Sequence, residues 1–305
     1  MALSGLISSL LIALAGPQAP TLKAPAPEPL PNPPERHCTG ALQQGGLIIC
    51  NVPDGARLLF MIGSYSTERG PGIHAFGLDT DAPSTASAII ALGDDILAAE
   101  DLVISEREDE YRVLEGLDCD KVDARTPEQK EHAGISWVKK QEAFETLSDP
   151  VSGLDDWLRP SEGRPSSPFG PTRKYIGVSA VTGEPCETTS VHRGYDIAAP
   201  VGTPILAPMA GTVTLADPDL YYEGGTVFLD HGYGLVSVFM HMSALDVEAG
   251  DVVEAGEKLG EVGNTGRTTG PHLHWGLKWR DVTSEDRSGD FYIDPALLLA
   301  MSGSD

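Results

Sequence analysis

The sequence predicts a mainly β protein in which a small β-rich domain and a helical connector precede a larger β domain. Three observations carry that expectation. Short apolar runs alternate with turn residues between Cys38 and about Arg112, one capped helix starts at Thr126, and glycine stands at nearly every corner of the last third. At 305 residues the chain is long enough for two modest cores. The expected divisions are 38–118 for the small β-rich domain, 119–160 for the connector and 161–305 for the larger domain. No repeat of 20–50 residues is apparent.

Taken in order, residues 1–15 read as a signal peptide. Leu6 to Leu14 is apolar and too short to span a bilayer comfortably, and Ala13-Leu-Ala15 offers a small-x-small cleavage pattern before Gly16. The segment departs from the usual pattern in having no Lys or Arg ahead of its apolar core. Residues 16–37 are proline-rich (Pro17, Pro20, Pro25, Pro27, Pro29, Pro31, Pro33, Pro34), a composition that builds an extended spacer and no core. Strands are expected over Gly46–Val52, Ala56–Ile62, Gly72–Leu78 and Asp101–Ile104, with Pro53-Asp-Gly55 as a turn. Thr126-Pro-Glu-Gln129 supplies an N-cap, a first-position proline and a capping-box glutamine. The helix should run to about Leu147, before Pro150, with Ala133, Trp137 and Phe144 near one face.

A net charge of -24 without a basic stripe argues against nucleic acid and anionic membrane surfaces as partners. No stretch beyond the signal segment is long and apolar enough to be transmembrane. Four cysteines fit an oxidising compartment. Sequence proximity pairs Cys38 with Cys50 and Cys119 with Cys186, although three pairings are open. Cys186, six residues before His192, could otherwise be an extra metal ligand.

The chemistry concentrates in three short segments, His192-Arg-Gly-Tyr-Asp196, Met240-His241-Met-Ser243 and Gly270-Pro-His272-Leu-His274-Trp275. The whole chain holds only 8 histidines. On a strand His272 and His274 share one face, opposite Leu273, Trp275, Leu277 and Trp279. A bulge or tight bend at Gly194 would aim both His192 and Asp196 inward. Two imidazoles and a carboxylate meet the three-ligand count of a catalytic zinc site with an open water position, leaving two histidines for proton chemistry. The helical His-Glu-x-x-His arrangement is absent. His231, in Asp230-His-Gly-Tyr-Gly234 between two β-like runs, reads as a turn residue, with a supporting role at the site as the alternative. Tyr195, Tyr221, Tyr222 and Trp275 would either rim a peptide groove or pack the sheet. His37, His74 and His132 stand outside the constellation.

From about Arg164 to Pro295 the chain resembles the lysostaphin-type zinc endopeptidases, the M23 (LytM) family. The resemblance runs through His192–Ile205, Gly211-Thr-Val213, Asp230–Gly234, His241–Leu245, Val253–Gly256, Gly263–Gly266 and Gly270–Gly276, with Pro168-Phe-Gly-Pro-Thr-Arg173 upstream. It implies a lysostaphin-like antiparallel β-sheet domain holding one zinc ion on His192, Asp196 and His274. It places His241 and His272 as the two flanking catalytic histidines. The implied substrate is bacterial peptidoglycan, cut at its peptide stems or cross-bridges by an exported, periplasmic or cell-envelope enzyme. Two other readings stand beside it: a non-catalytic module of the same fold that activates other wall hydrolases, and an exported zinc peptidase acting on proteins.

Overall fold

A computed structural model describes residues 36–119, 124–154, 156–283 and 289–303. The expected signal peptide and all but the end of the proline-rich stretch lie outside the described residues.

The N-terminal strands are β1 (Cys38–Ala41), β2 (Leu47–Val52), β3 (Arg57–Ile62), β4 (Tyr65–Arg69), β5 (Gly72–Gly77), β6 (Thr85–Leu92) and β7 (Asp95–Val103). They form two antiparallel sheets, ordered β1-β2-β5 and β4-β3-β6-β7. Alternation explains the arrangement: Ile48, Cys50 and Val52 of one sheet, and Leu58, Phe60, Ala86, Ala88 and Ile90 of the other, turn inward to a shared core. Phe60 and Phe76 stack across it with ring centroids 3.9 Å apart. Cys38 faces Cys50 in the β1–β2 register, and the two form a disulfide.

The remaining elements are β8 (Tyr111–Asp118), α1 (Pro127–Glu145), β9 (Arg164–Ser167), β10 (Thr172–Val178), β11 (Pro185–Val191), β12 (Tyr195–Ala198), β13 (Pro204–Leu206), β14 (Gly211–Leu220), β15 (Gly224–Asp230), β16 (Leu235–Met242), β17 (Ala244–Leu245), β18 (Val252–Val253), β19 (Lys258–Glu261), β20 (His272–Trp279), β21 (Phe291–Ile293) and α2 (Pro295–Ser302). A large antiparallel sheet runs β18-β14-β15-β16-β20-β12-β9, with β21 on β20, and a small sheet runs β13-β19-β17. One face of the large sheet, carrying Val213, Val227, Leu229, Phe239, Leu273, Trp275 and Leu277, lies in the main core.

Two expectations change. The expected division places residues 111–118 in the small domain, but β8 pairs in parallel with β10, and the Cys119–Cys186 disulfide fastens its end. That disulfide also removes Cys186 as a metal ligand. Nor are the two β parts separate: Leu47 and Ala75 belong to the main core, and the Trp279 indole donates to the Ala75 carbonyl at 3.1 Å. The described residues from Arg36 onward form one unit. Gly77 leaves the space for this contact, because a Cβ there would stand 2.8 Å from the Trp279 ring.

The α1 capping box forms as read, with Thr126 and Gln129 each serving the other's backbone. Its buried residues are Ser136, Ala143 and Phe144, whereas Trp137 is 59% exposed. The helix lies on the second face of the large sheet, where Phe144 joins Phe228, Val236 and Val238. Lys139 pairs with Asp217 at 2.6 Å and Lys140 with Glu223, so charge as well as apolar contact sets its position. That same face continues onto β20 as His272 and His274.

Candidate metal centre

Strand alternation does most of the placing. On β20, Leu273, Trp275 and Leu277 are buried in the core, so His272 and His274 emerge on the other face. Antiparallel pairing sets Asp196 of β12 directly across from His274, and Ala198 across from His272. His192 follows the end of β11, and the chain bends through Arg193 and Gly194 into β12. The bend requires glycine for space: a Cβ at Gly194 would lie 2.4 Å from His274 Nε2.

His241 reaches the site by a backbone device. Its neighbour Met240 is in register with His274, so simple alternation would send His241 to the opposite face. Instead the β15–β16 ladder shifts between Gly225 and Val227, and His241 takes a left-handed φ of 65°. Such backbone in a non-glycine residue is sparse and clusters at functional sites. Its N–H donates to the Glu223 carbonyl at 2.8 Å, and its ring then sits 4.8 Å from that of His272.

Three donor atoms converge. His192 Nε2 lies 3.0 Å from Asp196 Oδ1 and 3.1 Å from His274 Nδ1, which is itself 2.8 Å from Asp196 Oδ1. His192 and Asp196 are buried, and the group has the composition and closeness to hold a metal ion. The Nδ1 atoms of His192, His241 and His272 are committed to main-chain carbonyls. His192 Nδ1 donates to Pro168 at 2.6 Å, His241 Nδ1 to Thr265 at 2.9 Å and His272 Nδ1 to Gly270 at 2.8 Å. Each of these rings therefore keeps its Nε2 lone pair for other use.

Electrostatics follows from burial. Burial acts to raise the Asp196 carboxyl, but the adjoining His192 and His274 rings outweigh it and hold the group well below the usual carboxylate range. Burial lowers His274, against its hydrogen bond to Asp196. Burial, and then the charges of His274 and His272, push His241 down to about 3, so its imidazole is neutral near pH 7 in the metal-free chain. His272 Nε2 is 3.8 Å from Asp196 Oδ1.

The other readings divide. His231 is fully buried and away from the ligand group: its Nδ1 donates to the Ala210 carbonyl at 3.0 Å, and Ser237 Oγ, 2.8 Å away, donates to its Nε2. Tyr195 and Trp275 are buried in the core and rim no groove. Tyr221 and Tyr222 lie between β14 and β15, partly exposed, with the Arg267 guanidinium 5.0 Å over the Tyr222 ring. Thr265 went unread as a site residue. Its carbonyl fixes His241, while its hydroxyl donates to Met242 O at 2.8 Å and accepts from Gly225 N at 2.9 Å. The available signal was Gly263-Asn-Thr-Gly266, a tight-turn sequence close before His272.

A His-Asp-His group at the junction of antiparallel strands, with two further histidines beside it, makes a candidate metal centre on a β-sheet scaffold. Residues 190–286 match Peptidase family M23. A Haemophilus influenzae protein named an uncharacterized metalloprotease is 41% identical over 117 residues, 37% of this chain and 22% of that protein. The peptidoglycan DD-endopeptidase ShyA of Vibrio cholerae is 36% identical over 117 residues, 38% of this chain and 25% of its own length. The chain thus spans about a quarter of the length of these curated relatives. A Pseudomonas aeruginosa crystal structure described as a peptidase M23 aligns over 87% of this chain and 96% of its own, with TM-score 0.55 and 26% identity.

Proposed function

We propose that this protein is an exported, zinc-dependent endopeptidase that hydrolyses peptide bonds of bacterial peptidoglycan. The observation that carries the reading is the convergence of His192 Nε2, Asp196 Oδ1 and His274 Nδ1 within 3.1 Å of one another, flanked by His241 and His272. Two imidazole nitrogens and one carboxylate oxygen suit zinc and leave a position open. Bound there, zinc would supply a Lewis acid and lower the pKa of water to about 7.

The chain's own groups handle the protons. The Nδ1–H of His241 is held by Thr265 and its Nε2 is free to accept, so the ring takes a proton at Nε2 while the carbonyl stabilises the resulting cation. His272, held by Gly270, is built the same way. Between them these rings accept the proton of the attacking water and stabilise the tetrahedral intermediate, and a protonated ring returns a proton to the leaving amine. Peptidoglycan as substrate is supported by the activity named for ShyA. Export is supported by the apolar run Leu6–Leu14 and the two disulfides.

An alanine series with elemental analysis tests the assignment. His192→Ala, Asp196→Ala and His274→Ala should lose zinc. His241→Ala and His272→Ala should retain it while peptide release from peptidoglycan falls about 10²–10⁴-fold. Loss of zinc from either of the last two variants, or full activity in both, would overturn the division of roles, and a zinc-loaded wild type that releases no peptide would leave a non-catalytic use of the fold.

A further inference from the structure

The segment Pro168-Phe-Gly-Pro-Thr-Arg173 serves the site at both of its ends. Pro168 contributes the carbonyl that orients His192. Arg173, on β10 and mostly buried, has a different target: its Nη2 donates to Ser167 Oγ at 2.6 Å and lies 3.3 Å from Asp196 Oδ2. The Asp196 carboxylate is thereby split between two tasks. Its Oδ1 faces His192 and His274, and its Oδ2 is turned to the guanidinium.

A carboxylate can ligate a cation through one oxygen or through both. When the second oxygen is otherwise engaged, swinging it toward the ion means giving up a charge-assisted hydrogen bond in a buried place. A guanidinium beside a divalent cation is itself repelled by it, so stabilisation of the fold alone is a poor reason to keep one here. We propose that Arg173 is a positioning residue that holds Asp196 to single-oxygen ligation and so keeps one metal position open for the reaction. The inference rests on the zinc-peptidase reading. Arg173 acts through Asp196.

The test uses Co2+ in place of zinc, because its visible absorption is strong in four-coordinate sites and weakens as coordination number rises. In Arg173→Met the freed Oδ2 should join the ion, so the cobalt bands lose intensity while one metal per chain is retained. The kcat for peptidoglycan peptides should fall about 10- to 100-fold, the range usual for outer-shell changes, with KM little altered. Should Arg173→Met fail to fold, Arg173→Gln, which keeps an uncharged donor of shorter reach, is read by the same spectrum. A cobalt spectrum indistinguishable from wild type in the folded variant overturns the proposal. Failure of the wild-type chain to take up cobalt or zinc at all would instead overturn the metal reading beneath it.

Discussion

At the scale of single residues, the site depends on two positions whose backbone or size is unusual. Gly194 has no side chain because the His274 ring occupies the place one would take. Gly194→Ala should therefore displace His274 and weaken metal binding at least about 10-fold, read by competition with a chromogenic chelator; unchanged affinity would show that the bend can give way. His241 needs a left-handed backbone to face its partners. The sequence named all five residues of the group, through their scarcity and through the M23 resemblance. What could not be read was how His241 arrives, since period-two alternation sends it to the wrong face. A single φ angle decides that, and no composition rule announces it. Arg173 was likewise visible as a letter in a motif, whereas its hold on Asp196 is a long-range pairing between strands.

At the scale of elements, the β15–β16 hairpin and β20 are stitched by a buried polar chain. The Trp275 indole donates to Ser237 Oγ at 3.1 Å, Ser237 to His231, and His231 to the Ala210 carbonyl. This arrangement needs a neutral His231, and burial pushes that ring down to about 4. The unfolded chain protonates near the ordinary value of 6.5, so between pH 6.5 and about 4 it binds a proton that the fold refuses. Stability should fall as pH drops through that window, at up to about 1.4 kcal/mol per pH unit from this group. His241, pushed down to about 3, adds a slope of the same sign in metal-free protein, so the wild type must be compared with His231→Gln. Urea unfolding at several pH values should show the gap between the two narrowing from pH 6.5 to 4, and a constant gap would contradict the assignment. The helix is the element where local reading worked at one end only. Its cap is written in adjacent residues, but which face it buries depends on the sheet it meets, and Trp137 faces outward while Phe144 faces in.

At the scale of the whole molecule, sequence alternation tells that a residue is buried but not against what. Leu47 and Ala75 read as members of a small separate domain, yet they complete the core beneath the large sheet, with Trp279 as the joint. Trp279→Ala should cost about 3–5 kcal/mol, as large aromatic truncations in cores do. The two β parts of the wild type should unfold in a single calorimetric transition; two well-separated transitions would show that the joint does not couple them. The mainly β class and the helical connector were legible because glycine, proline and capping residues act locally. The parallel pairing of β8 with β10 was not, because it joins segments far apart in the chain through a register that only the folded sheet defines.

All three scales meet in the claim that the converging His-Asp-His group serves hydrolysis of wall peptides. The most direct measurement is digestion of purified peptidoglycan by the zinc-loaded chain, with the released fragments identified by mass. Fragments arising from cleaved peptide stems or cross-bridges are expected, and should be lost in His192→Ala and after chelation. Intact peptidoglycan in the presence of stoichiometric zinc, or fragments arising from glycan cleavage alone, would contradict that claim.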